Sequence, residues 1–569
     1  MNKNPIKNYA IWARNELIIR VTQKAFEYGI SKENIVDFNA ESVNGKLLTV
    51  EEKQQRQKLI SEVKEKGFDQ VMEEVAYTWF NRFIALRYME VNNYLPNRVR
   101  VFTNENNEFK PQLLDEAATI ELDGLDKEKV YELLEANKNE ELYKTLLLAT
   151  CNDMHQYLPG MFETIHDYKV LLFPENLLRN ESVLGRLIFD IDEDSWLDQV
   201  QIIGWMYQYY NSELKDIVMK KKSYSKEDIP AATQLFTPDW IVRYLVENSL
   251  GKLWIDGHPE SETERWKYYI KEPTQVDEVT SELKKLALRY KNINPEEITL
   301  IDPCMGSGHI LVYAFEVFMD IYLECGYSSR DAAKNIIEHN IYGAEIDSRA
   351  YQLAYFALMM KARAYDRRIL YKQIKHNLVE IKDSKTIDIN TLHYLMDYKD
   401  IAVNLISIFS DAKELGSLIK VDIDKNELIK LKDYCRELER KINDYNLIER
   451  LEIDELLEKI NPILDEAICL AGMYDVVVTN PPYMTPTPVQ KPYVNRNYPN
   501  SKSDLFAVFI ERCHEMNVLN GYQSMIVMPS LLFLSSFSKL REMLLDNVTI
   551  NSLLHMGRGI FGIDFGSTA

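Results

Sequence analysis

The stretch Asp475–Thr485, DVVVTNPPYMT, joins a run of valines to an asparagine, two prolines and a tyrosine. Consecutive valines are typical of a buried strand, and ligands of open α/β sheets bind beyond the carboxyl ends of their strands. There the amide oxygen of Asn480 and the carbonyl oxygen of Pro481 could both accept from one amino group, which would make its lone pair available to an electrophilic methyl group. Pro481 and Pro482 set the carbonyl direction before substrate arrives, and Tyr483 offers a flat face to a planar base. The motif therefore predicts activation of the amino group of a heterocycle or amide. A plain strand followed by a Pro-Pro turn is the structural alternative.

A glycine-containing loop follows another apolar run, in EEITLIDPCMGSGHILVYAFEVF. Its chemistry depends on Asp302, Gly306 and Gly308. Glycines let a ligand approach the backbone, and the N-terminus of the helix that follows favours a negatively charged group. The loop is neither the GxGxxG turn of a dinucleotide site nor a P-loop, because no GK[ST] follows.

The next apolar run, NIYGAEID, ends in two acidic residues, Glu345 and Asp347. In folds of this kind, an acid after the second strand suits the two hydroxyls of a ribose. Asp302 would lie near a zwitterionic tail of the ligand. Together these features predict a nucleoside ligand without phosphates, and S-adenosylmethionine has that form. A tight turn without any ligand is the alternative explanation of the glycines.

The elements that must position these residues are short apolar runs that alternate with helical patterns after Pro230. Such alternation predicts a parallel sheet flanked by helices. The runs that we interpret as strands are ITLIDP, IYGAEID, YDVVVTN, SMIVMPS and INSLLHM. Because ligands bind beyond the carboxyl ends of such strands, we expect Asn480 and Asp302 to face the same crevice.

The segment before Pro230 has a helical pattern instead. Apolar residues share one helix face in two stretches, at spacings of three and four. The two sets are Leu17, Ile18, Val21 and Ala25, and then Val71, Val75, Trp79, Phe83 and Leu86. We therefore predict a mostly α-helical N-terminal domain over residues 1–230, followed by an α/β domain over residues 231–569.

A long interruption separates the second predicted strand from the third. Within it, apolar residues form a heptad seam over about three heptads. The seam consists of Leu428, Leu431, Cys435, Leu438, Ile442 and Tyr445. A second helical run, IDELLEKINPILDEAICLA, follows. We predict an antiparallel helical arm inserted at about residues 385–470, and the alternative is two ordinary surface helices packed on the body.

The composition is that of a globular chain with more than one domain: 569 residues, 46% hydrophobic and 27% charged. No apolar run is long enough for a bilayer and the start is not a signal peptide, so no membrane association is expected. Six scattered cysteines without a CxxC pair favour reduced thiols in a cytoplasm over disulfides or a zinc site, and no metal is expected. The net charge of -21 argues against indiscriminate polyanion binding but allows a local basic face.

The region from Thr233 to Ala569 resembles the S-adenosylmethionine-dependent amino-methyltransferases that methylate adenine N6 in DNA. TQLFTPDWIVRYLV is similar to the opening motif of that family, DPCMGSG to its cofactor loop, GAEID to its ribose-binding acid and NPPY to its catalytic motif. The resemblance implies a Rossmann-like methyltransferase sheet, with Thr237 and Pro238 at the methionine end of the cofactor. It also places Pro303 in the cofactor loop.

Two later segments, DLFAVFIERC and FSKLREML, resemble further motifs in the same order. By position, Phe537 would be the second ring against the target base, and an apolar helix residue in the core is the alternative. The acid of the third family motif is not clear, with Asp383 and Asp411 as candidates. The ending GIFGIDFGSTA looks truncated, so we expect this form not to methylate DNA site-specifically.

The N-terminal NELIIRVTQKAFEYGI and AYTWFNRFIALRYME resemble the PglX methyltransferases of BREX phage-defence systems. The resemblance then covers nearly the whole chain. It implies a site-specific adenine N6 methyltransferase acting on a flipped base of double-stranded DNA, with other phage-defence proteins as possible partners. The alternatives are a methyltransferase for a glutamine amide in a protein, a nuclease–methylase fusion, and a non-catalytic cofactor-binding subunit used for assembly.

Overall fold

The computed structural model describes residues 3–163, 167–218, 220–221, 228–229, 237–557 and 560. The chain divides into two compact units. Unit 1 contains Met1–Glu213 and Tyr355–Ala364, and unit 2 contains Leu214–Ala354 and Tyr365–Ala569. The predicted boundary at residue 230 lies outside the described residues, and the predicted domain limits stay a prediction.

Unit 1 is built of helices in the part of the chain that the structure describes. Its helices are α1 Lys3–Glu27, α2 Val50–Lys66, α3 Phe68–Val91, α4 Gln112–Asp115, α5 Lys127–Glu135, α6 Asn139–Asp153, α7 Val183–Asp190 and α8 Gln201–Tyr210. Helix α9, Ser212–Val218, begins in unit 1 and ends in unit 2. A two-stranded antiparallel hairpin joins α1 to α2 and consists of β1 Ser42–Val43 and β2 Lys46–Leu47. Single turns of 3-10 helix lie at Met154–Gln156 and Glu193–Ser195.

The helices of unit 1 follow from the apolar patterns. In α1, Leu17, Val21 and Ala25 are buried, while Ile18 is half-buried at the border of the same face. In α3 the five predicted residues Val71 to Leu86 are all buried. Helix α2 begins with a capping box in which the Thr49 hydroxyl accepts from the Glu52 N–H and the Glu52 carboxylate accepts from the Thr49 N–H. The predicted helical character of this region is confirmed.

Unit 2 contains a parallel sheet with helices on it. Its helices are α10 Asp239–Val246, α11 Lys252–Gly257, α12 Asp277–Tyr290, α13 His309–Glu324, α14 Ser329–Asn335, α15 Ser348–Tyr365, α16 Lys399–Ile408, α17 Ala412–Leu415, α18 Lys425–Arg440, α19 Leu447–Leu470, α20 Gln490–Asn497, α21 Leu505–Met516 and α22 Ser538–Asn547. Residues 355–364 of α15 count with unit 1. Turns of π-helix lie at Glu247–Gly251 and Ile336–Asn340, and 3-10 helices at Pro295–Glu297, Ile369–Tyr371, Ile389–Tyr398, Gly416–Leu418, Ile442–Asp444, Pro529–Leu532 and Ser535–Phe537.

The described sheet of unit 2 has five strands in the order β5-β4-β3-β6-β7, and every neighbouring pair is parallel. The strands are β3 Leu300–Asp302, β4 Ile341–Glu345, β5 Asn377–Glu380, β6 Tyr474–Thr479 and β7 Asn517–Met525. The chain runs outwards from β3 through β4 to β5 and then returns to place β6 on the other side of β3. This order confirms the predicted α/β fold with a parallel sheet, and it puts a topological switch point between β3 and β6.

The strand predictions were correct for the three central strands and wrong at the edges. The four-residue β5 was not predicted, because NLVE is too short to stand out from its polar surroundings. SMIVMPS overlaps β7 only at its first two residues, since β7 starts earlier, at Asn517. INSLLHM, residues 550–556, is not a strand. Its side chains Ile550, Leu553 and Leu554 are exposed and have no neighbouring strand among the described residues.

The helices α18 and α19 pack against each other and on the sheet. Leu428, Leu431, Cys435 and Leu438 of α18 are buried in one apolar cluster with Ile453 to Leu470 of α19 and with β3, β4 and β6. Helix α18 ends at Arg440, so the last two residues of the predicted heptad seam lie beyond it and are only partly buried. The predicted extent of the inserted arm, about 385–470, stays a prediction.

Within the ranges that the structure describes, each helix is too short or too polar to span a bilayer.

Candidate active site

The residues predicted to do chemistry lie at the carboxyl ends of three adjacent strands. Asp302 is the last residue of β3, Glu345 is the last residue of β4, and Asn480 directly follows β6. The strands β3 and β6 flank the switch point of the sheet, where ligands of open α/β sheets bind. Asp302 and Asn480 thus stand at the carboxyl ends of neighbouring strands, and their shared role in a ligand crevice stays a prediction.

The segment Asp302–Gly308, here called the glycine loop, turns from β3 into α13 with help from two left-handed residues. Gly306 has a φ of 54° and Gly308 a φ of 80°. A Cβ atom on Gly308 would come within 2.9 Å of the Cβ of Ala354, whereas one on Gly306 would meet nothing within 4 Å. Gly308 is therefore required for packing, and Gly306 leaves open space where a ligand can approach the backbone.

Asp302 is buried, with 1% of its surface exposed. Its Oδ1 accepts from the Thr479 hydroxyl at 2.7 Å and from the Cys304 N–H at 3.0 Å. Burial raises the pKa of Asp302 to about 7, and the two hydrogen bonds act in the opposite direction. Thr479 immediately precedes Asn480, so this bond ties the end of β6 to the end of β3.

Glu345 is held by backbone donors. Its Oε2 accepts from the Gly306 N–H at 2.8 Å, and its Oε1 accepts from the N–H groups of Ile346 at 3.0 Å and Asp347 at 2.9 Å. Burial raises the pKa of Glu345 to about 7, with the neighbouring Asp347 charge acting in the same direction. The bond to Gly306 links the acid of β4 directly to the glycine loop.

The Asn480 side chain is fixed at both ends. Its Nδ2 donates to the Thr237 hydroxyl at 3.1 Å, and its Oδ1 accepts from the Tyr483 hydroxyl at 2.6 Å. The same tyrosine hydroxyl lies 3.1 Å from the Ile526 carbonyl oxygen, just beyond β7. The orientation of the amide follows from these partners, since the nitrogen faces an acceptor and the oxygen a donor.

Thr237 and Pro238 precede α10 and lie beside the start of α13. Thr237 is 5% exposed, and its carbonyl oxygen is 3.0 Å from Nδ1 of His309, the first residue of α13. The structure therefore brings Thr237 together with the glycine loop and Asn480. Pro303, within the glycine loop, is held by the Ser417 hydroxyl, which donates to its carbonyl oxygen.

Pro481 and Pro482 lead from Asn480 to the ring of Tyr483, which packs on an apolar cluster formed by α21 and α22. The ring centroids of Tyr483 and Phe506 are 6.4 Å apart, and those of Phe506 and Phe537 are 5.3 Å apart. Phe537 is 3% exposed within this cluster. In this structure it lies behind Phe506 among apolar side chains, and its role against a target base stays a prediction.

The two candidates for the third-motif acid lie beyond the end of β5. The Asp383 Oδ1 accepts from the Lys413 N–H at 2.8 Å, and Asp411 forms an ion pair with Lys385. Asp383 is three residues from the end of β5, and Asp411 is farther along the chain. Neither position along the chain assigns the role of the third-motif acid, so Asp383 and Asp411 both stay candidates.

Sequence reasoning missed two residues that hold the site together. Thr479 was seen only as part of an apolar run, although its buried hydroxyl joins the two strand ends. Ile526, whose carbonyl oxygen lies beside the Tyr483 hydroxyl, belongs to a segment predicted as strand and not as site. A polar residue at the last position of a valine run was the available signal for Thr479.

Two family models match the chain. The family described as N-6 DNA Methylase matches residues 267–396, and the family described as Eco57I restriction-modification methylase matches residues 339–561. Together these matches include the glycine loop, Glu345 and Asn480.

Two curated relatives match nearly all of the chain. The chain is 38% identical over 99% of its length to the adenine-specific methyltransferase BrxX of Escherichia coli O9:H4 (strain HS), of which it covers 49%. The values are the same for the adenine-specific methyltransferase PglX of Lacticaseibacillus casei (strain Zhang). The chain thus spans about half the length of these relatives.

A solved structure titled as a cryoEM structure of a DrdV–DNA complex is similar to 96% of this chain and 38% of its own, with 9% identity and a TM-score of 0.40. The family assignment depends instead on the sequence matches, which confirm the predicted resemblance. This chain belongs with the BrxX and PglX adenine-specific methyltransferases and contains an N-6 DNA methylase domain.

Proposed function

We propose that this chain transfers a methyl group from S-adenosylmethionine to N6 of an adenine flipped out of double-stranded DNA. The observation that carries the proposal is the placement of Asn480 beside Asp302 and Glu345 at the switch point of the sheet, with its amide oriented by Thr237 and Tyr483. The names of the two curated relatives support the adenine specificity.

The groups around the glycine loop fit this cofactor. Two carboxyl groups, Asp302 and Glu345, offer acceptors for an ammonium group and for ribose hydroxyls. The N-terminus of α13 follows Gly308 with no side-chain cap, and such an end favours a carboxylate. Gly306 leaves open space at the backbone. Thr237, Pro238 and Pro303 complete the set that we assign to cofactor binding.

In catalysis, the residues of this chain prepare the adenine amino group for methylation. When bound, the cofactor supplies an electrophilic methyl group. The Asn480 amide oxygen and the Pro481 carbonyl oxygen accept from the adenine amino group, which draws its nitrogen away from planarity and exposes the lone pair. An amide oxygen has two lone pairs, so Asn480 can accept from the Tyr483 hydroxyl and from a substrate amino group at once. No base is required beforehand, since the amino nitrogen is neutral and loses its proton after transfer.

The substrate is held by stacking. Extrusion of a base from a duplex costs a few kcal/mol. Stacking on an aromatic ring contributes about 1–3 kcal/mol per base, so the Tyr483 ring offsets part of the cost. We assign double-stranded DNA as the substrate and host DNA modification in phage defence as the setting, with other defence proteins as partners, on the basis of the resemblance to PglX.

The direct test incubates the protein with methyl-labelled S-adenosylmethionine and either duplex DNA or a mixture of proteins, followed by digestion. We expect label in N6-methyladenine. Label in methylated glutamine would show the amide methyltransferase instead. Cofactor binding without transfer to either substrate would indicate the non-catalytic subunit.

A further inference from the structure

The segment after the catalytic motif lacks acidic residues in an otherwise acidic chain. The chain has 88 acidic and 67 basic residues, yet no aspartate or glutamate lies between Asp475 and Asp504. The cations in the same interval are Lys491, Arg496 and Lys502. The interval from Val476 to Ser503 therefore carries only positive charges, against the sign of the whole molecule.

A buried face anchors this segment. Gln490 and Val494 of α20 and Tyr498, directly after the helix, follow one another at four-residue spacing and are 3%, 1% and 0% exposed. At the start of the helix, the Thr487 N–H donates to the Gln490 side-chain oxygen at 2.9 Å and the Gln490 N–H donates to the Thr487 hydroxyl at 3.2 Å. The Tyr498 hydroxyl donates to the Leu418 carbonyl at 2.7 Å. The helix is thus fixed to unit 2 by contacts that do not involve its cations.

The cations lie outside this buried face. Lys491, Arg496 and Lys502 are exposed, and none of the three forms an ion pair within the part of the chain that the structure describes. The nearby Lys420 behaves differently, since its ammonium is 2.6 Å from the carboxylate of Glu515. The three exposed cations are therefore presented to solvent on a fixed support.

The position of α20 relative to the catalytic motif limits what this face can contact. Six residues lie between Tyr483 and Gln490, so the seven residue steps from one to the other span at most about 25 Å. A duplex carries one phosphate charge per about 1.7 Å of axis, so DNA with a base at Asn480 presents many phosphates within that radius. The start of α20, next to Lys491, therefore lies within the range over which phosphates flank an extruded base.

We propose that α20 and the loop to Lys502 form a contact surface for the phosphate backbone of the duplex beside the target base, with Lys491, Arg496 and Lys502 as the contacts. The inference rests on the proposed function, because it takes DNA as the substrate of the adjacent site. Such contacts carry no sequence information and position the duplex. They also give a chain of net charge -21 a local means of binding a polyanion.

The proposal predicts the salt dependence of DNA binding. Each phosphate neutralised by the protein contributes about -0.9 to the slope of log affinity against log salt, so three contacts contribute about -2.7. In a variant with Lys491→Ala, Arg496→Ala and Lys502→Ala, the fall in affinity between 50 and 200 mM salt should be about 40-fold smaller than in the wild type. The anchoring residues are untouched, so the fold of the helix is retained.

The experiment measures binding of a short duplex of arbitrary sequence by fluorescence anisotropy across this salt range. A first control, with Lys491→Arg, Arg496→Lys and Lys502→Arg, should keep the wild-type slope. A second control carries Lys285→Ala, Lys430→Ala and Lys441→Ala. It removes the same amount of charge from exposed sites on α12, on α18 and just after α18, and it should also keep the wild-type slope. Equal slopes in the wild type and the first triple variant would overturn the proposal, as would an equal loss in the second control.

Methyl transfer measured on the same samples separates this inference from the proposed function. A wild type that methylates adenine while the triple variant keeps the full salt slope would refute the contact surface alone. If the triple variant shows the expected change in slope but the wild type never methylates adenine, the proposed function is refuted and the contact surface stays in place.

Discussion

The side-chain nitrogen of Asn480 donates to the hydroxyl of Thr237 at 3.1 Å, although the two residues lie 243 positions apart. Thr237 precedes α10 and Asn480 follows β6, so the bond joins the segment that leads into the first helix of the α/β region to the carboxyl end of a central strand. Because the side-chain nitrogen donates to Thr237, the amide oxygen points away from Thr237. It faces the Tyr483 hydroxyl and, in the proposed function, the amino group of the substrate.

Thr237→Val removes that acceptor and keeps the shape of the side chain. A neutral hydrogen bond contributes about 0.5–1.5 kcal/mol, so we expect the single-turnover rate to fall about 2- to 12-fold as the amide loses its fixed orientation. Thr237→Ser retains the hydroxyl and should restore the rate. If the serine and valine variants were equally slow, the defect would come from packing and not from the bond to Asn480.

Tyr483 has two separable roles, a hydroxyl that donates to Asn480 and a ring that stacks on a base. Tyr483→Phe keeps the ring, and we expect it to lower the rate only by the value of one hydrogen bond. Tyr483→Ala removes the ring as well and should weaken binding of the flipped base by a further about 1–3 kcal/mol. A fluorescent base analogue at the target position reports extrusion directly. Equal extrusion in the alanine variant and the wild type would exclude the stacking role.

Glu345 should contribute to cofactor affinity through its ionised carboxylate. Glu345→Gln keeps the size of the side chain and one oxygen for the Gly306 N–H, but it removes the charge and one of the two acceptors. We expect cofactor binding to weaken by about 1–3 kcal/mol in titration calorimetry. Glu338→Gln, a substitution outside the glycine loop and its hydrogen-bond partners, is the matched control and should bind normally. Unchanged affinity in Glu345→Gln would rule out the ribose assignment.

The pH dependence of cofactor binding follows from two raised pKa values. The pKa values of Asp302 and Glu345 both rise to about 7, and donors on the cofactor favour the ionised forms. Affinity should therefore fall as pH drops below 7, by at most about tenfold per pH unit for each carboxyl group. Calorimetry in buffers of different ionisation enthalpy should detect proton release on binding near pH 7. A flat profile between pH 6 and 8 would contradict the assignment of both acids.

The same raised pKa values set the sign of a stability effect. Between about pH 4 and 7 the folded chain holds protons that the unfolded chain has released, so the free energy of unfolding should decrease as pH rises through this window. Asp302→Asn removes one titrating group and should flatten that part of the profile in chemical denaturation.

The sequence predicted the central strands and the strand-end residues because both follow local rules. Valine runs predict buried strands, and ligands of parallel sheets bind beyond their carboxyl ends, so Asp302, Glu345 and Asn480 were placed without knowledge of distant contacts. The edges of the sheet depend on pairing. INSLLHM has strand-like composition but finds no neighbour among the described residues, and β5 has four residues that only pairing with β4 makes a strand.

The fine positions in the site could not be predicted, because they depend on contacts between segments far apart in the sequence. No local pattern links Thr237 to Asn480, or Thr479 to Asp302. Phe537 shows that a family-like position in the sequence does not by itself give the surroundings of a side chain. This aromatic residue is 3% exposed and packs against Phe506.

The most direct test of the proposed function compares the wild type with Asn480→Ala, and measures N6-methyladenine formed in duplex DNA together with S-adenosylmethionine affinity on the same samples. Asn547→Ala, at the exposed end of α22, serves as the matched control. We expect Asn480→Ala to lower methyl transfer about 10²- to 10³-fold, roughly 3–4 kcal/mol, because a preorganised contact to the reacting amino group is lost. We expect cofactor affinity to stay close to that of the wild type. An Asn480→Ala protein that methylates adenine at the wild-type rate would contradict the central claim.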